Sequence, residues 1–186
     1  VGGDDKITGK KTVTIAMKII GGDIWDGSTK TEPKKNEDGV YLIGTGEELA
    51  WFASNHKRDT SAIMTADISL GGFSIMFYGF VGTFDGNGHY ITDFYSDTAL
   101  FKYPMTGTVI KNLGVEGVIS GSGAGIALGL GNSYKFTVEN CVSRMTVNGG
   151  SGIASSGDAT VINCYNTGDV TGNGIASGAT TVKNCY

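Results

Sequence analysis

The segment Val161-Ile162-Asn163-Cys164-Tyr165 is the key to the fold, because close copies of it recur along the C-terminal part of the chain. The other copies are Val109-Ile110-Lys111-Asn112-Leu113, Val138-Glu139-Asn140-Cys141-Val142 and Val182-Lys183-Asn184-Cys185-Tyr186. Their asparagines are 28, 23 and 21 residues apart. Two further landmarks follow in a constant order, namely Gly121, Gly149 and Gly172, then Gly-Ile-Ala at 125–127, 152–154 and 174–176. Landmarks that recur in order at this period indicate a repeat protein.

Each repeat is too short to bury its own apolar face. Between the glycines, β-branched residues alternate with polar ones, which predicts a few short strands separated by sharp bends. Such a unit becomes stable only when it stacks on the next copy, with each strand pairing in parallel with its equivalent one coil away. The sequence therefore predicts an all-β fold, a parallel β-helix that is right-handed by the general chirality of parallel crossovers.

Aligning the copies on their asparagine separates inward from outward positions. The inward set is apolar and consists of Ile110, Val138, Val161 and Val182, of Ile119, Val147 and Val170, and of Leu113, Cys141, Cys164 and Cys185. The outward set is mostly polar and consists of Lys111, Glu139, Ile162 and Lys183, and of Glu116, Arg144 and Thr167. Opposite charges at equivalent outward positions are expected to face each other on neighbouring coils.

The recurring asparagines and cysteines are interpreted as structural. Asparagine tolerates a left-handed bend, and its amide can bond to equivalents above and below, so Asn112, Asn140, Asn163 and Asn184 are predicted to form a ladder. Cys141, Cys164 and Cys185 occupy one column, which favours buried, reduced thiols over a disulfide framework. Zinc is the alternative for these thiols, but no second type of ligand accompanies them.

Composition limits the function classes. The 186 residues are 40% hydrophobic, with 31 glycines and two prolines, which suits one domain with many tight bends. The net charge is −4 and no basic stripe occurs, which argues against a nucleic-acid partner. No apolar run is long enough to span a bilayer. Because the chain begins at Val1 and lacks a signal peptide, we expect a processed or excised piece of a longer protein.

The sequence divides into three regions. Residues 1–22 contain an alternating segment at 11–20, which predicts a cap-edge strand or the end of a preceding domain. Residues 23–60 form an N-terminal cap, in which Trp25 is expected to fold back on the rest. Residues 61–186 form the coils, which become regular from residue 109.

One helix is predicted, at about residues 46–54, and it lies within the cap. Thr45 is its expected N-cap, and the Glu48 carboxylate is expected to reach back to complete a capping box. The helix places Leu49, Phe52 and Ala53 on one face. A β-helix exposes unpaired strand edges at its ends, so this face is expected to cover the first coil.

The acidic and histidine residues before the regular repeats are the candidates for an active site. They are Asp67, Asp85, His89 and Asp93, and Asp85 and His89 flank a Gly-Asn-Gly corner. An aspartate in such a corner normally bonds to its own turn backbone, so a structural role is favoured for Asp85. His89 is interpreted as a solvated turn residue. The Asp85-Gly-Asn-Gly pattern lacks the later acidic ligands of a calcium loop, and we expect no metal or cofactor.

Five segments together point to a known family, namely residues 47–53 (EELAWFA), 67–70 (DISL), 82–89 (GTFDGNGH), 110–113 (IKNL) and 163–172 (NCYNTGDVTG). With them the chain resembles the GLUG-repeat β-helix modules of bacterial secreted and surface proteins, and the resemblance covers roughly residues 23–186. It implies a right-handed β-helix of the kind found in adhesin-like proteins and in non-catalytic regions of surface proteases. Residues 73–78 lack the usual tryptophan, and Gly-Ile-Ala replaces the usual end of the repeat. The resemblance transfers no catalytic residue.

The functional hypothesis is a non-enzymatic spacer or adhesin-like module of a larger bacterial protein, secreted or at the cell surface. Its expected partners are a host or neighbouring-cell protein or a glycan. The alternatives are a polysaccharide lyase or hydrolase, with Asp85 and His89 as its weak catalytic candidates, and a carbohydrate-binding module that uses Tyr165 and Tyr186. For this tyrosine column, packing under a loop is slightly favoured over ligand binding. An ice-binding threonine column at Thr137, Thr160 and Thr181 is rejected, because Val109 begins the column and the adjacent column has no threonines.

The C-terminal end of the chain suggests self-association. It stops at Tyr186 directly after the last asparagine segment, and no polar or helical cap follows. An uncovered coil leaves N–H and C=O groups without partners. We therefore expect that the parent protein continues with further coils or that another chain covers this edge, and that the isolated 186-residue piece self-associates through it.

Overall fold

In the part of the chain that the structure describes, the fold is a β-solenoid of about six turns with one short helix, so the predicted fold class is confirmed. The computed structural model describes residues 24–131, 133–155 and 157–186. The strand predicted at 11–20 and the region assigned to residues 1–22 lie outside these ranges.

Three parallel sheets run along the solenoid, and each takes one strand from successive coils. The first face has seven strands, β1 (Tyr41–Ile43), β2 (Ala62–Met64), β5 (Thr83–Asp85), β8 (Thr108–Lys111), β11 (Lys135–Glu139), β14 (Asp158–Ile162) and β17 (Thr181–Lys183). The second face has five, β3 (Ile68–Ser69), β6 (Tyr90–Ser96), β9 (Gly114–Ile119), β12 (Val142–Val147) and β15 (Tyr165–Asn166). The third face has β4 (Phe77–Tyr78), β7 (Phe101–Lys102), β10 (Ala127–Leu128), β13 (Ala154–Ser155) and β16 (Ala176–Ser177).

The strand register places equivalent residues of neighbouring repeats side by side. Val138 pairs with Ile110 on one side and Val161 on the other, and all three are fully buried. On the outside, Arg144 lies opposite Glu116, and the Arg144 Nη1 and Glu116 Oε2 atoms are 3.7 Å apart. Val182 departs from its column because it lies on the last strand of the first face, where it is 50% exposed.

The core changes in character along the solenoid. The N-terminal coils are filled by phenylalanines, including Phe77 and Phe101, whose rings stack with centroids 4.7 Å apart. In the C-terminal coils the buried residues are mostly smaller, as in Val138, Cys141 and Ala154. This change accompanies the shortening of the repeat from 28 to 21 residues, because a shorter coil encloses a narrower interior.

Helix α1 (Gly46–Asn55) covers the first coils, as the sequence predicts. Its buried Phe52 packs against Tyr41, Phe77 and Phe80, with ring centroids 5.2, 5.9 and 6.0 Å away. Trp25 is buried against the start of the helix, where a Cβ added at Gly46 would overlap its side chain. Strand β1 also pairs with β2, so the predicted cap contributes a strand to the first face.

The capping of α1 differs from the prediction in one bond. The Thr45 Oγ1 atom accepts from the Glu48 N–H at 3.2 Å, as expected for an N-cap. The Glu48 carboxylate accepts from the Gly44 N–H at 2.7 Å instead of from the Thr45 N–H. Gly44 directly follows β1, so this bond ties the helix to the end of that strand.

His56, at the C-terminal end of α1, is expected to make the cap sensitive to pH. Its ring packs against Phe52, Phe77 and Phe80, and burial lowers its pKa from the ordinary 6.5. The unfolded chain then binds more protons below pH 6.5, so stability is complete above that value and falls as pH drops below it. A His56→Phe variant should lose this part of the pH dependence, measured as urea midpoints across the pH range. Identical profiles for the two proteins would contradict the prediction.

Candidate functional site

The recurring asparagines form a hydrogen-bonded row along the edge between the first and second faces. Each of the four has a left-handed backbone, with φ of 52° or 53°. The Nδ2 groups of Asn140, Asn163 and Asn184 each donate to the Oδ1 atom of the preceding asparagine, at 3.2, 3.1 and 3.1 Å. Asparagine tolerates the left-handed bend and its amide also links two coils, which explains why it recurs at this turn.

Asp85 continues this row instead of standing free as an acid. Its Oδ1 atom accepts from Asn112 Nδ2 at 3.0 Å and from the Asn87 N–H at 2.8 Å. The Lys111 Nζ atom lies 3.4 Å from Asp85 Oδ2. Burial raises the pKa of this carboxyl, but the two hydrogen bonds and the lysine charge outweigh burial and lower it below its ordinary value. Asp85 is therefore ionised at neutral pH, whereas a general acid requires a raised pKa.

His89 and Asp67 come together at the same corner. The His89 Nδ1 atom lies 3.1 Å from Asp67 Oδ1, and the Tyr90 N–H donates to the same oxygen at 2.9 Å. The side chains of His89 and Asp67 are 31% and 59% exposed. His89 is thus a partly exposed turn residue with a partner one coil away, and Asp67 links two coils through the Tyr90 backbone.

Asp93 lies on the second face, within β6, and belongs to a different part of the surface. Its Oδ2 atom accepts from Ser69 Oγ at 2.6 Å. Of the four candidates, the fold therefore pairs Asp67 with His89, joins Asp85 to the asparagine row and pairs Asp93 with a serine. The same described ranges contain no group of three His, Cys, Asp or Glu side chains placed to share a metal ion.

The three cysteines are free thiols stacked along the core side of the asparagine row. Cys141 and Cys164 are fully buried and Cys185, in the last coil, is half-buried. Each thiol donates to the carbonyl two residues before it, at 3.2 Å. Burial also raises the pKa of Cys141, which disfavours its reactive thiolate.

These positions predict the order of thiol reactivity. In the native protein Cys185 should react first with a disulfide reagent, while Cys141 and Cys164 react only as the solenoid opens. The unfolded protein should release three equivalents. A Cys185→Ser variant should remove the early phase and leave the slow one. A disulfide between Cys141 and Cys164, or equal rates for all three thiols, would contradict this prediction.

The tyrosine column on the second face has a member that the sequence alignment missed. The rings of Tyr165 and Tyr186 pack with centroids 5.0 Å apart and a tilt of 36°, and Val142 precedes them in register. One coil earlier the position is Gly114, and a Cβ there would overlap the Tyr90 ring, which lies over it. The Arg144 guanidinium carbon lies 4.7 Å from the Tyr90 ring centroid. The sequence signal that could have revealed this member is the presence of Tyr90 in one coil and Gly114 at the paired position of the next coil.

The second face also carries an open groove that sequence reasoning did not identify. Its volume is about 540 Å³, compared with about 120, 300 and 220 Å³ for three other surface pockets, and Asp93, Tyr95 and Val118 contribute to its lining. Tyr95 is 54% exposed. The apolar residues Ile91 and Phe94 are three positions apart, whereas inward residues of a regular strand are two apart. This irregular spacing was the only sequence signal of the groove.

Comparisons with known proteins add no relative. The chain matches no protein-family model, no curated protein and no solved structure. Within residues 24–131, 133–155 and 157–186, no helix combines the length and hydropathy that a membrane crossing requires.

Proposed function

We propose that the chain is a non-enzymatic β-helix module of a larger bacterial protein, secreted or at the cell surface, which acts as a spacer or adhesin-like interaction module. The observation that carries this proposal is that the candidate acidic side chains form hydrogen bonds between coils. Asp85 bonds to Asn112, Asp67 to the Tyr90 backbone and Asp93 to Ser69, and each bond joins two coils. Because these carboxylates hold neighbouring coils together, they support a structural role for this region and not a catalytic one.

The resemblance to GLUG-repeat modules is part of this proposal. Its segments fall on the structural features that such a module needs. Residues 47–53 lie in the capping helix, residues 82–89 form the corner around Asp85, and residues 163–172 run from an asparagine turn through the next bend. The agreement of these segments with the cap and corners supports membership in that class of surface protein.

The exposed aromatic residues supply surfaces for a protein or glycan partner. Tyr95, Tyr165 and Tyr186 are 54%, 43% and 72% exposed, and they lie on the second face and in the last coil. Tyrosine combines a large apolar ring with a hydroxyl group, which makes it common in recognition surfaces. A rigid solenoid that presents such rings suits an adhesin-like module.

A cleavage screen tests the non-enzymatic assignment. The purified chain is incubated with neutral and acidic polysaccharides, and new reducing ends and unsaturated uronates are measured. We expect no product above that of a boiled sample. The control is Asp85→Asn, which retains an Oδ1 acceptor for Asn112 and Asn87 and is therefore expected to fold. Cleavage that Asp85→Asn abolishes would overturn the proposed function.

The 186-residue chain is also expected to self-associate through its last coil. Strands β15, β16 and β17 are edge strands of their sheets, and Val182 and Tyr186 are 50% and 72% exposed there. An edge with apolar side chains pairs readily with another chain. The weight-average mass in sedimentation equilibrium should rise with concentration, and Val182→Lys should suppress the rise. A mass that stays monomeric at high concentration would refute this prediction.

A further inference from the structure

The inference begins with an irregularity in strand β6. Its pairing with β9 shifts between Ile91 and Phe94, which marks a β-bulge. Asp93, within the bulge, has φ of 54°, a left-handed value that is uncommon among non-glycine residues and is most often adopted by asparagine and aspartate. Gly117 on β9 accommodates the bulge, because a Cβ there would overlap the Phe94 carbonyl oxygen. Bulges of this kind often re-aim a side chain beside a functional site.

The bulge changes which side chains of β6 reach the surface. Phe94 is 1% exposed and packs in the core, while Asp93 before it and Tyr95 after it both point outward. A carboxylate and a half-exposed tyrosyl ring therefore stand on the same outer surface, separated in sequence only by the buried Phe94.

These two side chains line the groove on the second face. Its sides are formed by Ile24, which is 59% exposed, and by Val118, which pairs with Tyr95. Gly72 leaves the backbone accessible, because a Cβ added there would have no atom within 4 Å. A volume of about 540 Å³ lies within the roughly 300–1,000 Å³ typical of small-ligand sites.

Asp93 retains an acceptor for a ligand. Its Oδ2 atom accepts from Ser69 Oγ at 2.6 Å and Thr92 Oγ1 at 3.4 Å, which orients the carboxylate. Its Oδ1 atom has no hydrogen-bond partner among the described residues. The groove is lined by no lysine or arginine in the described part of the chain, so its only formal charge is negative.

We propose that this groove binds a short segment of a neutral oligosaccharide. One sugar ring packs its C–H face on Tyr95, and neighbouring hydroxyl groups of that ring donate to Asp93 Oδ1. The negative charge of Asp93 disfavours uronic acids, sulfated sugars and other anionic glycans. This inference deepens the proposed function and rests on it, because it names the class of partner that one face of the module recognises.

Calorimetric titration tests the site on the full 186-residue chain. The probes are short oligosaccharides of glucose, mannose, galactose and xylose, with galacturonic acid oligosaccharides as the anionic comparison. We expect at least one neutral series to bind and the anionic series to bind more weakly. Tyr95→Ala should weaken binding by roughly tenfold or more, and Asp93→Asn by several-fold, because an amide is a weaker acceptor than a carboxylate.

The control is Tyr78→Ala, which removes an equally exposed tyrosine from the third face and should leave affinity unchanged. Asparagine also tolerates the backbone of Asp93, so Asp93→Asn is expected to fold. Failure of every neutral series to bind at millimolar concentration, or affinity unchanged in both Tyr95→Ala and Asp93→Asn, would overturn the site. Neither result affects the proposed function, which instead fails if Asp85-dependent cleavage is found.

Discussion

Replacing Phe101 with alanine is expected to lower the free energy of unfolding by about 3–5 kcal/mol, the range for deleting a buried phenylalanine side chain. Phe101 is fully buried and lies at the centre of the aromatic core, 4.7 Å from Phe77, 5.3 Å from Phe84 and 5.8 Å from Phe80 between ring centroids. The cavity would lie among rings that also support helix α1, since Phe52 packs on Phe77 and Phe80. Loss of one ring therefore weakens the coils and their cap together.

Urea unfolding followed by circular dichroism measures this effect. Tyr78→Ala is the matched control on the adjacent strand of the third face, because that ring is 61% exposed and contacts chiefly Tyr103. It should cost about 1 kcal/mol or less. Phe101→Leu, which refills part of the space, should lie between wild type and Phe101→Ala. A Phe101→Ala midpoint equal to that of Tyr78→Ala would contradict the prediction.

Replacing Asn140 with alanine is expected to cost about 2–5 kcal/mol, from two sources. The first is the loss of two side-chain hydrogen bonds, to Asn112 and from Asn163, each worth about 0.5–1.5 kcal/mol. The second is the left-handed backbone at φ of 53°, which costs an ordinary L-residue about 1–2 kcal/mol. Asparagine avoids most of the second cost, and alanine does not.

Asn140→Gly separates the two sources, because glycine adopts the left-handed backbone freely but forms no ladder bond. We expect Asn140→Gly to be destabilised less than Asn140→Ala. This order reverses the one in ordinary strands, where glycine is worse than alanine by about 0.5–1 kcal/mol. Equilibrium unfolding of the three proteins under one set of conditions gives the comparison. If alanine proves more stable than glycine at this position, the left-handed turn does not contribute as described.

The sequence by itself predicted the repeating fold and the burial of the columns beside the asparagines, but not the place of Tyr90 in the tyrosine column or the exposure of Val182. The columns around the asparagines assigned Ile110, Val138 and Val161 to the core and Glu116 and Arg144 to the surface, and the register bears out both. The capping helix followed from the Thr45 start and its apolar face. In a solenoid each residue contacts its equivalent one coil away, so the period of the sequence predicts which distant residues are in contact.

Only the tertiary structure shows the contacts between residues that do not occupy matching positions in neighbouring repeats. Asp85 joins the asparagine row, although the corner that carries it differs from the later ones in length. The Glu48 carboxylate accepts a hydrogen bond from the Gly44 N–H, because Gly44 lies in the short link between the end of β1 and the start of helix α1. The bulge at Asp93, which aims that carboxylate and Tyr95 into one groove, needs Gly117 on the neighbouring coil. Such contacts occur once, so no periodic pattern records them, and they depend on how each coil bends around its own core.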